Sequence, residues 1–259
     1  MYPISGLDKP MRTGNPALRD DTFSVVWPQA ETGQAMTING TTHRACFLLL
    51  CVLATAAWAW NRLFASHNRR AFLVYLLVAL LAGFVVALVT VFKKQWSPVT
   101  APIYALLQGL LLGTISSLME ARFPGIAIEA VALTFGTCFG LLLAYRSGLI
   151  RVTNKVRFGI TAATGGLASV YLLTLALRLL GMRDPFDFGS GPVGILVCLV
   201  IVALAALNLI LDFDFIERGA RTGAPKYMEW YAAFGLMVTL IWLYLEVLRL
   251  LAKVRGDRS

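Results

Sequence analysis

The stretch LILDFDFIERG closes a long apolar run and brings three acids together at its end, Asp212, Asp214 and Glu217. An acid inside a membrane bundle marks an ion or proton pathway by default, whereas an acid at the water boundary does not. On a helix, residues two apart point about 160° away from each other. Asp212 and Asp214 therefore cannot share a face, and Asp212 is expected to turn into the bundle. Asp214 and Glu217 are expected to sit solvated at the boundary. A short turn over 219–225 is expected to bring Glu229 to the level of Asp212. Two carboxylates held close in a low dielectric cannot both ionise cheaply, so one proton is shared. Protonated, such a pair can tie two helices together. Deprotonated, it repels and leaves acid oxygens that suit a hard cation. Asp212 and Glu229 are thus candidate proton sensors and candidate calcium ligands. Glu246 stands three residues before Arg249, the spacing of an intrahelical ion pair. Lining an outer vestibule is the alternative for it.

The elements that must hold these acids are apolar throughout. The chain has 259 residues, of which 58% are hydrophobic and 14% charged. The apolar residues fall into seven blocks, over 44–63, 71–92, 98–119, 123–145, 158–177, 189–211 and 226–251. A membrane span needs about 20 such residues. A soluble domain of this size lacks the interior to hide seven of them. The fold expected is all-α, a polytopic bundle of seven transmembrane helices in a lipid bilayer. A polar, mostly irregular tail (1–43) precedes the helical domain (44–252), and a short basic tail (253–259) follows it. The stretch 1–43 lacks the basic start and apolar core of a cleavable signal.

The formal charge of +9 does not point to nucleic acid. The basic residues sit in short connections and make no stripe interleaved with aromatics. They act instead on topology. With the N-terminus cytoplasmic, 13 of the 23 Lys and Arg face that side, and the connection carrying Arg146, Arg151, Lys155 and Arg157 is the strongest element. Gly109 and Gly113, and likewise Gly136 and Gly140, are four apart and are expected to let helices approach closely. Cys46, Cys51, Cys138 and Cys198 lie within apolar blocks and have no zinc spacing. Only two histidines occur, and there is no nucleotide loop, dinucleotide fingerprint or hydrolase elbow, so no enzyme and no cofactor are expected.

Four stretches resemble one family in order: GNPALRDDTF (14–23), LATAAWAW (53–60), PIYALLQGLLLGTISS (102–117) and GAPKYMEWYAAFG (223–235). The chain resembles the Bax inhibitor-1 family, and more closely its bacterial branch with an extended N-terminal tail. That resemblance implies a seven-helix fold with the last helix central and wrapped by the other six. It implies a pH-sensitive calcium leak in the bacterial cytoplasmic membrane, with calcium as permeant ion. The family latch is a pair of aspartates, one ending the sixth helix and one within the seventh, with a basic residue after the second. Asp212 matches the first, and Lys93 or Lys94 falls near the basic position. Spacing places the second near Met237, where there is no acid. Glu246 falls about 13 Å of helix too late, and Glu229 about as much too early. A latch rebuilt with Glu229 is one expectation, and no latch is the other. A non-transporting regulator that binds a membrane protease or another complex is the second function class, with NPALRDDTF as its docking segment. Oligomeric state is left open by the sequence.

Overall fold

The computed structural model describes residues 35–66, 69–182, 189 and 191–256. The tail stretch NPALRDDTF lies outside the described residues. Seven helices follow one another: α1 (Ile38–Ser66), α2 (Arg69–Phe92), α3 (Ser97–Arg122), α4 (Ile126–Arg146), α5 (Asn154–Leu179), α6 (Pro192–Arg221) and α7 (Met228–Gly256). All seven are long and apolar enough to cross a membrane. A single 3-10 turn, Lys94–Trp96, links α2 to α3.

Local chemistry sets the helix boundaries. Helix α1 starts at Ile38, earlier than the expected start at Arg44, because Thr37 caps it: the Gly40 amide donates to Thr37 Oγ1 at 3.0 Å. The segment before it is fastened as well, with the Met36 amide donating to the Ala224 carbonyl at 2.6 Å. Helix α4 starts after Gly125, whose φ of 83° is left-handed. The Glu120 carboxylate, ending α3, accepts from the amides of Gly125 at 2.6 Å and Ala127 at 3.1 Å. It therefore satisfies the exposed N–H groups of the next helix and favours its positive dipole end. Thr153 caps α5 by accepting from the Val156 amide. Helix α7 runs to Gly256, past the expected end of the helical domain at 252.

Burial shows two central helices where one was expected. In both α3 and α7, 61% of the apolar span is buried. Helices α1, α4 and α6 pack on α7, and α1 and α2 pack on α3. Helix α5 lies at the periphery against α6, with only 6% of its span buried.

Candidate functional site

Asp212 is 1% exposed, among Leu209, Ile210, Leu211 and Phe213, all buried. Helix α6 carries it because the helix does not unwind at the acids; it continues to Arg221. The inward face is the one that packs on α7 and α4, and Cys138 of α4 is an electrostatic neighbour of Asp212.

Asp214 departs from expectation. It is not solvated: its side chain is 14% exposed and sits in a double ion pair. Arg157 Nη2 donates to Oδ2 at 2.7 Å, and Arg218 Nε to Oδ1 at 3.0 Å. Arg157 is itself buried, one turn into α5, so each charge offsets the desolvation of the other. Glu217 accepts from the Tyr145 hydroxyl of α4 and pairs with Arg221. Two of the three acids in LDFDFIE thus tie α6 to α5 and α4, and one faces the core.

Glu229 is fully buried but does not meet Asp212. The expectation of a shared level fails because α6 is longer than the apolar run. At 1.5 Å per residue, Asp212 lies about 13 Å from the end of α6, while Glu229 is within about 2 Å of the start of α7. Glu229 Oε1 instead accepts from the Thr37 amide at 2.8 Å and the Thr37 hydroxyl at 2.9 Å. Lys226 lies 3.1 Å from Oε1, and Arg44 pairs with Oε2. This carboxylate sits on the positive end of α1 and clamps the starts of α1 and α7 together. Gly40 makes the approach possible, since a Cβ there would overlap the Glu229 carboxylate.

Glu246 is 2% exposed at the opposite end of α7. It makes the intrahelical pair with Arg249, at 2.9 Å. Its Oε1 also accepts from the Tyr171 hydroxyl of α5 at 2.9 Å and from Trp242 Nε1 at 3.3 Å. It joins α5 to α7 and is not a vestibule carboxylate. Of the two lysines, Lys93 lies outward over the Trp96 ring, while Lys94 turns inward over the ring of Tyr231 in α7. Among the described residues, no three His, Cys, Asp or Glu side chains converge to hold a metal.

The family model described as Bax inhibitor 1 like matches residues 15–256. The chain belongs to the Bax inhibitor 1 like family. No curated protein and no solved structure matches it.

The glycines of this Bax inhibitor 1 like protein divide by face. A Cβ on Gly113 would lie 2.8 Å from the Ala56 Cα and closer still to its carbonyl oxygen. One on Gly109 would lie 3.0 Å from the Val52 carbonyl carbon and closer to Thr55 Oγ1. Helices α1 and α3 meet there through backbone. The matching expectation for Gly136 and Gly140 is corrected: a Cβ at either meets nothing within 4 Å. Arg44, Tyr145, Arg157 and Tyr171 were not singled out as site residues in the sequence. Arg157 carried a usable signal. A cation one turn inside an apolar helix needs a buried anion.

Proposed function

We propose that this membrane protein is a cation leak path, with calcium as permeant ion, opened by ionisation of Asp212. The observation that carries the reading is a carboxylate 1% exposed, well inside a membrane-spanning helix, with Cys138 of α4 as an electrostatic neighbour. Helix α7 has two acids, Glu229 and Glu246, and both have other partners at the two ends of that helix. The sensor is therefore read as one carboxylate and not a carboxylate pair. Neutral, it is compatible with a closed, dry contact between helices. Ionised, a carboxylate at that depth favours water or a cation beside it, because a charge in low dielectric is costly to bury. Flux accordingly rises with pH. The reading places the protein in the cytoplasmic membrane with its N-terminus inside.

The test is a pH series of calcium flux with purified protein in liposomes. Wild type should gain flux as pH rises, and Asp212→Asn, which keeps the size but cannot ionise, should give a flat response. Glu229→Gln should keep the pH response. An unchanged pH response in Asp212→Asn sinks the assignment. The thinly covered α5 supports a second reading, a non-transporting regulator that docks a membrane protein there. Absence of flux from folded wild type at every pH favours that reading.

A further inference from the structure

A cavity of about 430 Å³ lies between α1 and α4, floored by α3 and α7. This volume is in the range of small-molecule sites, which occur between the helices of bundles. Its rim residues Leu53, Ile128 and Phe135 are exposed on the outer surface of the bundle, so the cavity opens sideways toward the bilayer. Its lining on α1 extends from Leu49 to Asn61. That is about 18 Å of helix, a little more than half of a hydrocarbon core about 30 Å thick. The cavity thus has the reach of one leaflet.

Its polarity is graded along that length. Toward the α3–α4 turn it is lined by Asn61, Ser116, Glu120 and Tyr244. Ser116 Oγ and the Tyr244 hydroxyl are bonded to each other at 2.7 Å. The other end is lined by Leu49, Val52, Leu112 and Phe135, and the hydroxyl of nearby Thr134 is committed to the Ala130 carbonyl. The one charged residue of the lining is Glu120, held in place by the amides of Gly125 and Ala127. A long apolar slot open to lipid, with a fixed carboxylate at its interfacial end, matches an amphipath with a cationic head. The geometry points to a binding site for one phospholipid with an ammonium headgroup, such as phosphatidylethanolamine. One acyl chain fills the slot, and the ammonium is held by Glu120 and Asn61. The site is separate from Asp212 and does not depend on ion flux.

The experiment uses the full chain in nanodiscs of phosphatidylglycerol doped with phosphatidylethanolamine bearing a photoreactive acyl chain, with the labelled peptides mapped by mass spectrometry. Label should concentrate on peptides carrying Leu49, Leu53 and Phe135. Ala57→Phe and Ile128→Trp both place bulk at exposed lining positions, and each should lower that label severalfold. Ala168→Phe, on the exposed face of α5, should leave it unchanged. A phosphatidylglycerol probe with the same chain should label the site less, and Glu120→Gln should remove the difference between the two heads. Label spread evenly over α2 and α5, or undiminished in both filling variants, overturns the site. Equal labelling by the two probes in wild type overturns the headgroup assignment.

Discussion

Arg157 of α5 reaches Asp214 of α6 at 2.7 Å, and this pair holds one end of a helix that the bundle otherwise hardly covers. Asn208 Nδ2 donates to Thr164 Oγ1 at 2.8 Å farther along, and the Tyr171 hydroxyl donates to Glu246 near the other end. Helix α5 is thus attached by polar contacts at three levels. Lipid tails are as apolar as the helix, so burial alone does little to hold it.

Arg157→Ala should therefore destabilise more than its surface position in sequence implies. Removing one partner of a buried ion pair typically costs about 3–5 kcal/mol when the remaining charge is left uncompensated, and Arg218, which stays on Asp214, should hold the loss below that range. Replacing both Arg157 and Asp214 with leucine should recover part of that loss. Thermal unfolding in detergent, together with hydrogen exchange along α5, checks it. A melting curve for Arg157→Ala that matches wild type would contradict the assigned role of the pair.

Glu229→Gln should act on stability and leave the pH response of flux alone. The substitution keeps one acceptor for Thr37 but gives up the charge facing Arg44 and Lys226, where charge-assisted hydrogen bonds contribute about 1.5–3 kcal/mol. Gly40→Ala should be at least as damaging, because its methyl overlaps the carboxylate. Protease cleavage near the start of α1 is the readout, and it should increase in both variants. Resistance equal to wild type in both would remove the clamp.

The two glycine pairs should behave oppositely. Gly109→Leu and Gly113→Leu force α1 away from α3 and should sharply reduce folded yield. Gly136→Leu and Gly140→Leu extend into open space and should express and melt much like wild type, apart from a small gain in helix propensity. Fluorescence-detected size exclusion of the four variants decides it, and equal losses in both pairs would mean that α4 has a partner on its glycine face.

The contrast between those pairs shows where sequence reading reaches its limit. Spacing identifies a small-residue face but not what covers it, so two identical patterns gave one contact and one open surface. The inward turn of Asp212 was legible from its place at the end of the apolar run and from helical phase, which sets it on another face than Asp214. The seven spans were legible from block length, and the family from four motifs in order. The partner of Asp214 was not, because Arg157 lies 57 residues away on another helix. The level of Glu229 was misjudged for a related reason. Apolar runs mark where lipid ends, while α6 continues through its charged residues to Arg221 as they pair with one another and with neighbouring helices.

Topology gives the last prediction. Seven antiparallel spans put the two ends of the helical domain on opposite sides. The end where α1 begins also carries the α4–α5 connection, whose Arg146, Arg151 and Lys155 are all exposed. Several other cations at that end are held by acids, Arg44 and Lys226 by Glu229, Arg157 and Arg218 by Asp214, and Arg221 by Glu217, while Lys93 and Lys94 lie over aromatic rings. Orientation follows the count of Lys and Arg in short connections, with little weight for acids. The exposed trio tips a modest overall bias toward a cytoplasmic N-terminus. A reporter fused after Arg157 should read cytoplasmic, and one at the C-terminus should read external. Replacing Arg146, Arg151 and Lys155 together with glutamine should yield a mixed population, because the remaining difference between the two sides is small. A cytoplasmic reading from an intact C-terminal fusion would reverse the orientation or break the seven-span count. A uniform orientation in the triple variant would shift the determinant to the cations around α6 and α7.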